Sequence, residues 1–522
     1  MLFPSLSFFF GFLPLSLLLF YAAGRWRAWA GKLTLLVLSL AFYAAWHVHQ
    51  QILLLLFSIG FNYVVGAAIL RARRADREGW VRGLLTAGIL VDVALLGWFK
   101  YANFVVDNLN LATGSHLALA RIALPLAISF FTFQKIAYLI DTARGETAPI
   151  SLLDFSLFAA FYPQLIAGPI VHYAEVVPQI QTRRFGHLIW RNIMVGLVMF
   201  AIGLFKKTVI ADTLAKCADP LFNAVHAHQG LTPATAWLAA VTFAIQVYFD
   251  FSGYSDMAIG LGRMLGVKLP LNFHSPLRAP DIIEFWRRWH MTLQRFIVPY
   301  IFQPMSLALT RAAANWRLGG WALFGVITGL PVMVTFTIVG IWHGAGWTYT
   351  LFGVMHAVYI LIAQAWREYL ARARRRLRRK KLPIPTPGLL RTAAGSALTI
   401  LAVMVADVLF RANTVSDAAE IWRGMIGLPV SHAALAPVHL SLLMAASIVM
   451  AIALIFLAPN TQQILCRFDP AQNWDEWRDV APAAVRWTWK PNAAGLGFAG
   501  AVLFLGVTFI QRGEAMFIYF NF

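Results

Sequence analysis

The chain has 522 residues, of which 59% are hydrophobic and only 13% charged, and it carries a formal net charge of +20. No soluble domain of this size needs so apolar a balance, so composition marks an integral membrane protein. The basic residues sit mostly in short segments between apolar runs rather than on an aromatic-interleaved soluble face, which argues against nucleic acid as a partner. Cys217 and Cys466 lie far apart without CxxC spacing and indicate neither a disulfide framework nor a thiolate metal site.

Apolar runs near the roughly 20 residues that a crossing helix needs follow one another along most of the chain. They are Ser5 to Tyr21, Leu33 to Trp46, Ile52 to Leu70, Leu84 to Phe99, Ile122 to Ile140 and His187 to Phe205. Six more run Leu238 to Leu265, Trp321 to Ile341, Trp347 to Ala365, Leu389 to Phe410, Leu440 to Leu457 and Ala494 to Phe509. The fold class expected is therefore an all-α polytopic membrane bundle of about 11–12 crossings with re-entrant and amphipathic segments. The first run lacks a basic n-region and a small-residue cleavage site, and Arg25 and Arg27 follow it, so it is expected to remain as a span. An external amino terminus puts Arg25/Arg27/Lys32, Arg71/Arg73/Arg74/Arg77, Arg183/Arg184 and the loop Arg372 to Lys381 on the cytoplasmic side. Lys206 and Lys207 break that pattern and point to a bent or re-entrant region.

The first four spans carry little intramembrane charge beyond Asp92 and read as scaffold. From Leu124 to Lys135 a proline, hydroxyls, an amide and a lysine enter the apolar run, and such groups face a bundle interior or a cavity. Phe155 to Val171 is apolar but interrupted by Pro163, Gly168 and Pro169. It reads either as a re-entrant segment lining a cavity or as a surface loop with a short interfacial helix. The span Leu238 to Leu265 contains Gln246, Asp250, Ser252, Ser255 and Asp256. Its two carboxylates should be paired, neutral or solvated, and six positions apart they do not share a helical face. Gly262 and Gly266 are read as close helix packing.

Asp281 followed by Glu284 opens a helix after Pro280. Treated as one helix to Ile297, the segment has an apolar arc with Arg288 and Arg295 opposite it and His290 on the arc's edge, turned toward the membrane core. An interfacial helix with a histidine at its waterline is the plain alternative. Val339 to Trp347 then ends one apolar run and begins another, placing His343 between glycines and two tryptophans at membrane depth. A titratable group there costs free energy unless it has a task, although a buried histidine can also simply hydrogen-bond a neighbouring helix.

Trp286 to Leu293, followed some fifty residues later by Trp342 to Trp347, resembles the membrane-bound O-acyltransferase (MBOAT) superfamily, in the branch of bacterial alginate O-acetyltransferases. Ser129 to Gln134, Gln164 to Ile170, Tyr248 to Gly260, Leu271 to Phe273 and Phe410 to Ala412 are similar too, in the family's order. The resemblance implies one polytopic domain over 1–522, with a core over about 100–412, scaffold helices over 1–100 and further helices over 413–522. It also implies a multi-pass protein of the bacterial inner membrane that passes an acyl group, usually acetyl, from a cytoplasmic thioester across the membrane. The acyl group is destined for a polysaccharide such as alginate.

By that resemblance His343 is the essential residue and His290 a second functional histidine. An imidazole suits deprotonation of an attacking hydroxyl near neutral pH. His343 is expected to be that base, and His290 to orient the donor or polarise its carbonyl. Asp250, Ser252, Trp342 and Trp286 are expected around the substrate, with no metal and no bound cofactor. A tunnel walled in part by the segment around Pro163 and Pro169 would let donor and acceptor meet. The donor is expected to be acetyl-CoA or an acyl-carrier thioester. The partners expected are membrane lipids, an acyl-carrier protein and a periplasmic or lipid-anchored acetyltransferase or esterase-like protein. Arg372 to Lys381 is either a donor-attracting patch or a topogenic cluster touching anionic lipid.

Two other classes fit parts of the pattern. A transporter or flippase also has many spans and intramembrane Asp and His, but no second copy of either histidine stretch occurs. A metal hydrolase could use His274, His290, His343 and His356, but no HExxH spacing appears. The acceptor polysaccharide and the acyl identity stay open at this level.

Overall fold

Backbone in lipid must satisfy its N–H and C=O groups internally, so a chain of this composition builds helices. The computed structural model describes residues 2–45, 50–166, 168–383, 388–428 and 441–510, and the described residues form helices and no strand. The first half contains α1 (Ser7–Trp26), α2 (Ala28–Ala44), α3 (Gln50–Arg74) and α4 (Glu78–Thr113). It continues with α5 (Ile128–Arg144) and the short helices α6 (Leu152–Ala160), α7 (Tyr162–Leu165) and α8 (Tyr173–Ile180). Next come α9 (Trp190–His226), α10 (Pro233–Met264), α11 (Ile282–Arg288) and α12 (Met291–Ile297). The chain closes with α13 (Gly320–His343), α14 (Trp347–Arg379), α15 (Leu389–Arg411), α16 (Val415–Met425), α17 (Leu442–Phe456) and α18 (Ala493–Thr508).

Eight of these are long and apolar enough to cross a membrane, and α2, α17 and α18 are shorter apolar helices. The protein is thus a multi-pass membrane protein of the all-α polytopic class. Apolar side chains on the outer helices remain exposed, as with Leu18 and Leu53, and they face hydrocarbon.

Several local expectations are corrected. The run from Ile122 becomes helical only at Ile128, because Pro125 precedes it and Ala127 sits in the left-handed region at φ 59°. The span ending at Phe205 instead continues into α9 through a π-helical turn, Lys206–Ala211. Such a turn inserts a residue without breaking the hydrogen-bonded ladder, so Lys206 and Lys207 stay inside a helix. Arg372 to Arg379 is the exposed end of α14, not a loop. The proline-broken stretch after α6 is enclosed by protein, with Phe161, Tyr162, Pro163 and Gln164 all buried. That favours the re-entrant reading over the surface loop.

The central packing uses glycine, but Gly262 is packed closely against Leu269 and the Val267 carbonyl just beyond α10 rather than against another helix. Gly266 lies just beyond the end of α10 at φ 81°, with open space around the position of a Cβ. Helices α9 and α10 instead meet at Gly196 against Gly260 and at Gly203 against Gly253. A Cβ at Gly196 would stand 2.5 Å from the carbonyl oxygen of Gly260, and one at Gly203 equally 2.5 Å from that of Gly253. Backbone-to-backbone approach of this kind is how membrane helices gain contact without a hydrophobic drive between them. A second pair, Gly340 and Gly353, lets α13 and α14 cross at the turn that carries His343.

Candidate active site

Helix α13 ends in Trp342 and His343, and the carbonyls it exposes need partners. Tyr101 Oη–H donates to Ile341 O at 2.8 Å, and Lys100 Nζ donates to Trp342 O and, at 3.4 Å, to His343 O. A lysine at a helix C-terminus also complements the macrodipole. Gly344 then allows the turn, since any Cβ there would fall on the ring of Tyr349. Trp347 Nε1–H donates to Asn108 Oδ1 at 2.8 Å and ties the start of α14 to the end of α4. His343 is buried on this rigid tip, its ring packed by Trp342 at 4.9 Å, Phe410 at 5.2 Å and Phe352 at 6.0 Å.

His290 reaches the same place from another direction. The single amphipathic helix expected over 281–297 is two helices, because Trp289 is extended and His290 has φ 43°. Asp281 does cap the first, accepting from the N–H groups of Ile283 and Glu284. A left-handed non-glycine residue costs on the order of 1–3 kcal/mol and persists only where neighbours over-determine it. Here residues 272–274 run beside the break, with Met291 N–H donating to Asn272 O at 2.9 Å and His274 N–H to Arg288 O at 3.0 Å.

The Asn272 side chain fixes the ring. Its Oδ1 accepts from Thr292 Oγ1–H at 2.9 Å and faces Thr292 N–H at 3.4 Å, and its Nδ2–H donates to Ser255 Oγ at 2.9 Å. A backbone N–H can only donate, so the amide orientation is determined by its partners. His290 Nδ1, 3.0 Å from that oxygen, must therefore carry the proton. In the neutral imidazole the lone pair is then on Nε2, which is buried without a partner. His290 is thus oriented as a proton acceptor.

Trp342 packs on both imidazoles, 6.0 Å from His290 and 4.9 Å from His343 between ring centroids. Its own Nε1–H is buried without an acceptor. A cavity of about 20 Å³ adjoins His343, walled by Trp286, Trp289, His356, Asp407 and Phe410 among others. It has room for about one water. Trp286 Nε1–H donates to His356 Nδ1 at 3.2 Å on its rim. Of the residues singled out in the sequence, His343, His290, Trp342 and Trp286 come together.

Asp250 is ion-paired, 2.7 Å from Lys207, which also bonds Asp212 at 2.7 Å, while Lys206 pairs with Asp256 at 2.6 Å. The two carboxylates of α10 are thus separately ion-paired. Ser252 is buried on α10 and is not part of the wall beside His343. His274 has a packing role: its Nε2 lies 2.7 Å from Val480 O and its Nδ1 3.3 Å from Asn460, and burial pushes it down to about 4. Among the described residues no three His, Cys, Asp or Glu side chains are placed to hold a metal ion.

Sequence reasoning gave no role to Asn272, Lys100 or Asp407. Asn272 stands in a stretch already noted as family-like, and Asp407 is a carboxyl inside an apolar span, which is itself a signal of function or pairing. Lys100 marks the end of an apolar run and offers no such signal.

A profile described as the membrane-bound O-acyltransferase family, MBOAT, matches residues 79–390, a stretch that includes both imidazoles. The peptidoglycan O-acetyltransferase of Helicobacter pylori is 38% identical over 458 residues, 82% of this chain and 80% of that protein. A probable alginate O-acetylase of Pseudomonas aeruginosa is 40% identical over 375 residues, 70% of this chain and 66% of its own. More distantly, the teichoic acid D-alanyltransferase of Streptococcus thermophilus is 24% identical over 318 residues, 61% of this chain and 72% of that protein.

Proposed function

The chain belongs to the membrane-bound O-acyltransferase family and is an acyltransferase, and from that premise we propose that it transfers acetyl from a cytoplasmic thioester toward hydroxyls of a polysaccharide outside the membrane. The observation that carries this reading is the meeting of two buried imidazoles at one indole, His290 and His343 both packed on Trp342. Relatives named for acetylation of peptidoglycan and of alginate cover most of the chain, and an exported polysaccharide such as alginate is the acceptor class proposed.

The chemistry balances without a cofactor. An imidazole takes the acceptor's O–H proton as that oxygen attacks the thioester carbonyl, the C–S bond breaks, and the proton passes to the departing sulfur. His343 is assigned that transfer. His290, with its lone pair on Nε2, accepts a hydrogen bond from a neighbouring hydroxyl of the acceptor and so positions it, rather than polarising the carbonyl. The Trp342 Nε1–H is the donor available to the carbonyl oxygen as charge develops there. The donor is proposed to be acetyl-CoA or an acyl-carrier thioester. The expected setting is the bacterial inner membrane, with a periplasmic or lipid-anchored acetyltransferase or esterase-like protein taking the group onward.

The test compares the acetyl content of envelope polysaccharide in cells carrying wild-type protein or His343→Ala at matched membrane levels. A base contributes typically 10²- to 10⁴-fold, so near-complete loss is expected. Unchanged acetylation would remove His343 from the chemistry and revive transport as the function.

A further inference from the structure

A second cavity, lined by neither imidazole, lies between α9, α10, α17 and α18. It measures about 380 Å³, within the range of ligand-binding pockets, and equals the volume of roughly a dozen waters. Its walls are hydrocarbon, among them Phe249, Leu454, Phe498 and Val502. Water is a poor filler for such a space, because each molecule needs several polar partners. An empty void forfeits dispersion contacts along its whole lining. The cavity is open at Val485 and Trp487, 54% and 38% exposed. The helices that bound it also carry exposed apolar side chains, such as Val449 and Phe504, that face lipid. Hydrocarbon from the bilayer is therefore the filler closest to hand.

One end of the cavity is cationic. Lys206 and Arg278 line it, and no Asp or Glu does. The charge of Lys206 is matched by Asp256, 2.6 Å away. Arg278 is different. Its Nε–H and Nη2–H groups donate to the carbonyls of Leu454, Ile455 and Ala458 at the end of α17. Its Nη1 is buried without a partner, and no carboxylate of the described residues forms an ion pair with it. Helix-end carbonyls supply about half a negative charge, which leaves the guanidinium short of a counter-ion in a setting where unpaired charge is costly. A planar guanidinium with an unused N–H suits a phosphate oxygen.

We propose that this cavity is a phospholipid site, in which the lipid phosphate sits on Arg278 and one acyl chain fills the space between α9, α10, α17 and α18. Tyr248, which lines the cavity, packs at 6.3 Å on Trp289, which in turn walls the space beside His343. The lipid therefore braces the back of the active site through two aromatic rings and takes no part in the acyl transfer.

The test is native mass spectrometry of the full-length protein in detergent, titrated with phosphatidylglycerol and, separately, challenged with inorganic phosphate. Wild type is expected to retain one phosphatidylglycerol. Leu454→Trp and Val502→Trp, which fill the cavity from two different helices, are expected to retain it about tenfold less while eluting as monodisperse protein. Arg278→Gln removes a charge-assisted bond and is expected to weaken retention at least tenfold. Retention undiminished in both tryptophan variants, or no adduct on wild type, would overturn the site. Displacement of the lipid by inorganic phosphate would overturn the acyl-chain half and leave only an anion site.

Discussion

Replacing Asn272 by leucine tests whether the amide sets the protonation of the second imidazole. The change preserves approximate volume but removes the acceptor of His290 Nδ1–H and of Thr292 Oγ1–H and the donor to Ser255. A lost hydrogen bond contributes about 0.5–1.5 kcal/mol, and a buried group left unpaired costs about 1–3 kcal/mol. The His290 ring escapes that cost by moving its proton to Nε2 or by turning, and either removes the lone pair from the reacting side. Together the terms come to about 2–4 kcal/mol, or roughly 30- to 1000-fold in rate at 1.36 kcal/mol per decade. Acetyl content of envelope polysaccharide at matched protein level is the readout, with melting of the purified protein alongside. Asn272→Asp retains an acceptor for Nδ1–H and is expected to recover most of the loss. Ser255→Ala disturbs the same network without touching the imidazole and is expected to cost stability but under tenfold in activity. Wild-type acetylation in Asn272→Leu, or equal losses in Asn272→Leu and Ser255→Ala, would refute the reasoning.

Lys207→Met leaves Asp212 and Asp250 facing each other without a cation. Removing one partner of a buried ion pair costs about 3–5 kcal/mol, so membrane levels should fall steeply and recover in part when Asp250→Asn is added. Gly353→Val places side-chain atoms against the Phe336 carbonyl and Gly340. Thermal unfolding should drop by several degrees and activity should vanish, whereas Gly319→Ala, with open space around it, should change neither. His274 has a folded value near 4 against 6.5 ordinarily, so the unfolded chain binds its proton first as pH falls. Its stabilising contribution is present above about pH 6.5 and is lost on acidification toward 4, and a melting-temperature series should show a smaller acid drop in His274→Asn.

The helical class and most spans were readable because lipid forces regular backbone and because runs near 20 residues leave few alternatives. The burial of His343 beside Trp342 was readable because it sits between two apolar runs at membrane depth. The break at His290 was not, since a 3.6-residue periodicity presumes a continuous helix, and the contacts enforcing φ 43° come from residues 272–274. Nor was the pairing of Lys206 with Asp256, whose sequence separation of 50 is unrelated to their 2.6 Å contact. The glycine crossing did leave a trace. Gly196 and Gly203 share the spacing of Gly253 and Gly260, and a matched seven-residue repeat on two neighbouring helices says more than glycines near one helix end.

Lys100 and His343 are 243 positions apart, and that separation has a meaning for biogenesis. At roughly 5–20 residues per second of synthesis, some 10–50 s pass between insertion of the lysine and arrival of the carbonyls it serves. Through most of that interval the partner already made for its ammonium is Ser129 Oγ, 3.4 Å away in the folded protein. Docking of α13 then brings the Trp342 and His343 carbonyls to it, so a helix that enters late converts a mobile cation into a fixed strut.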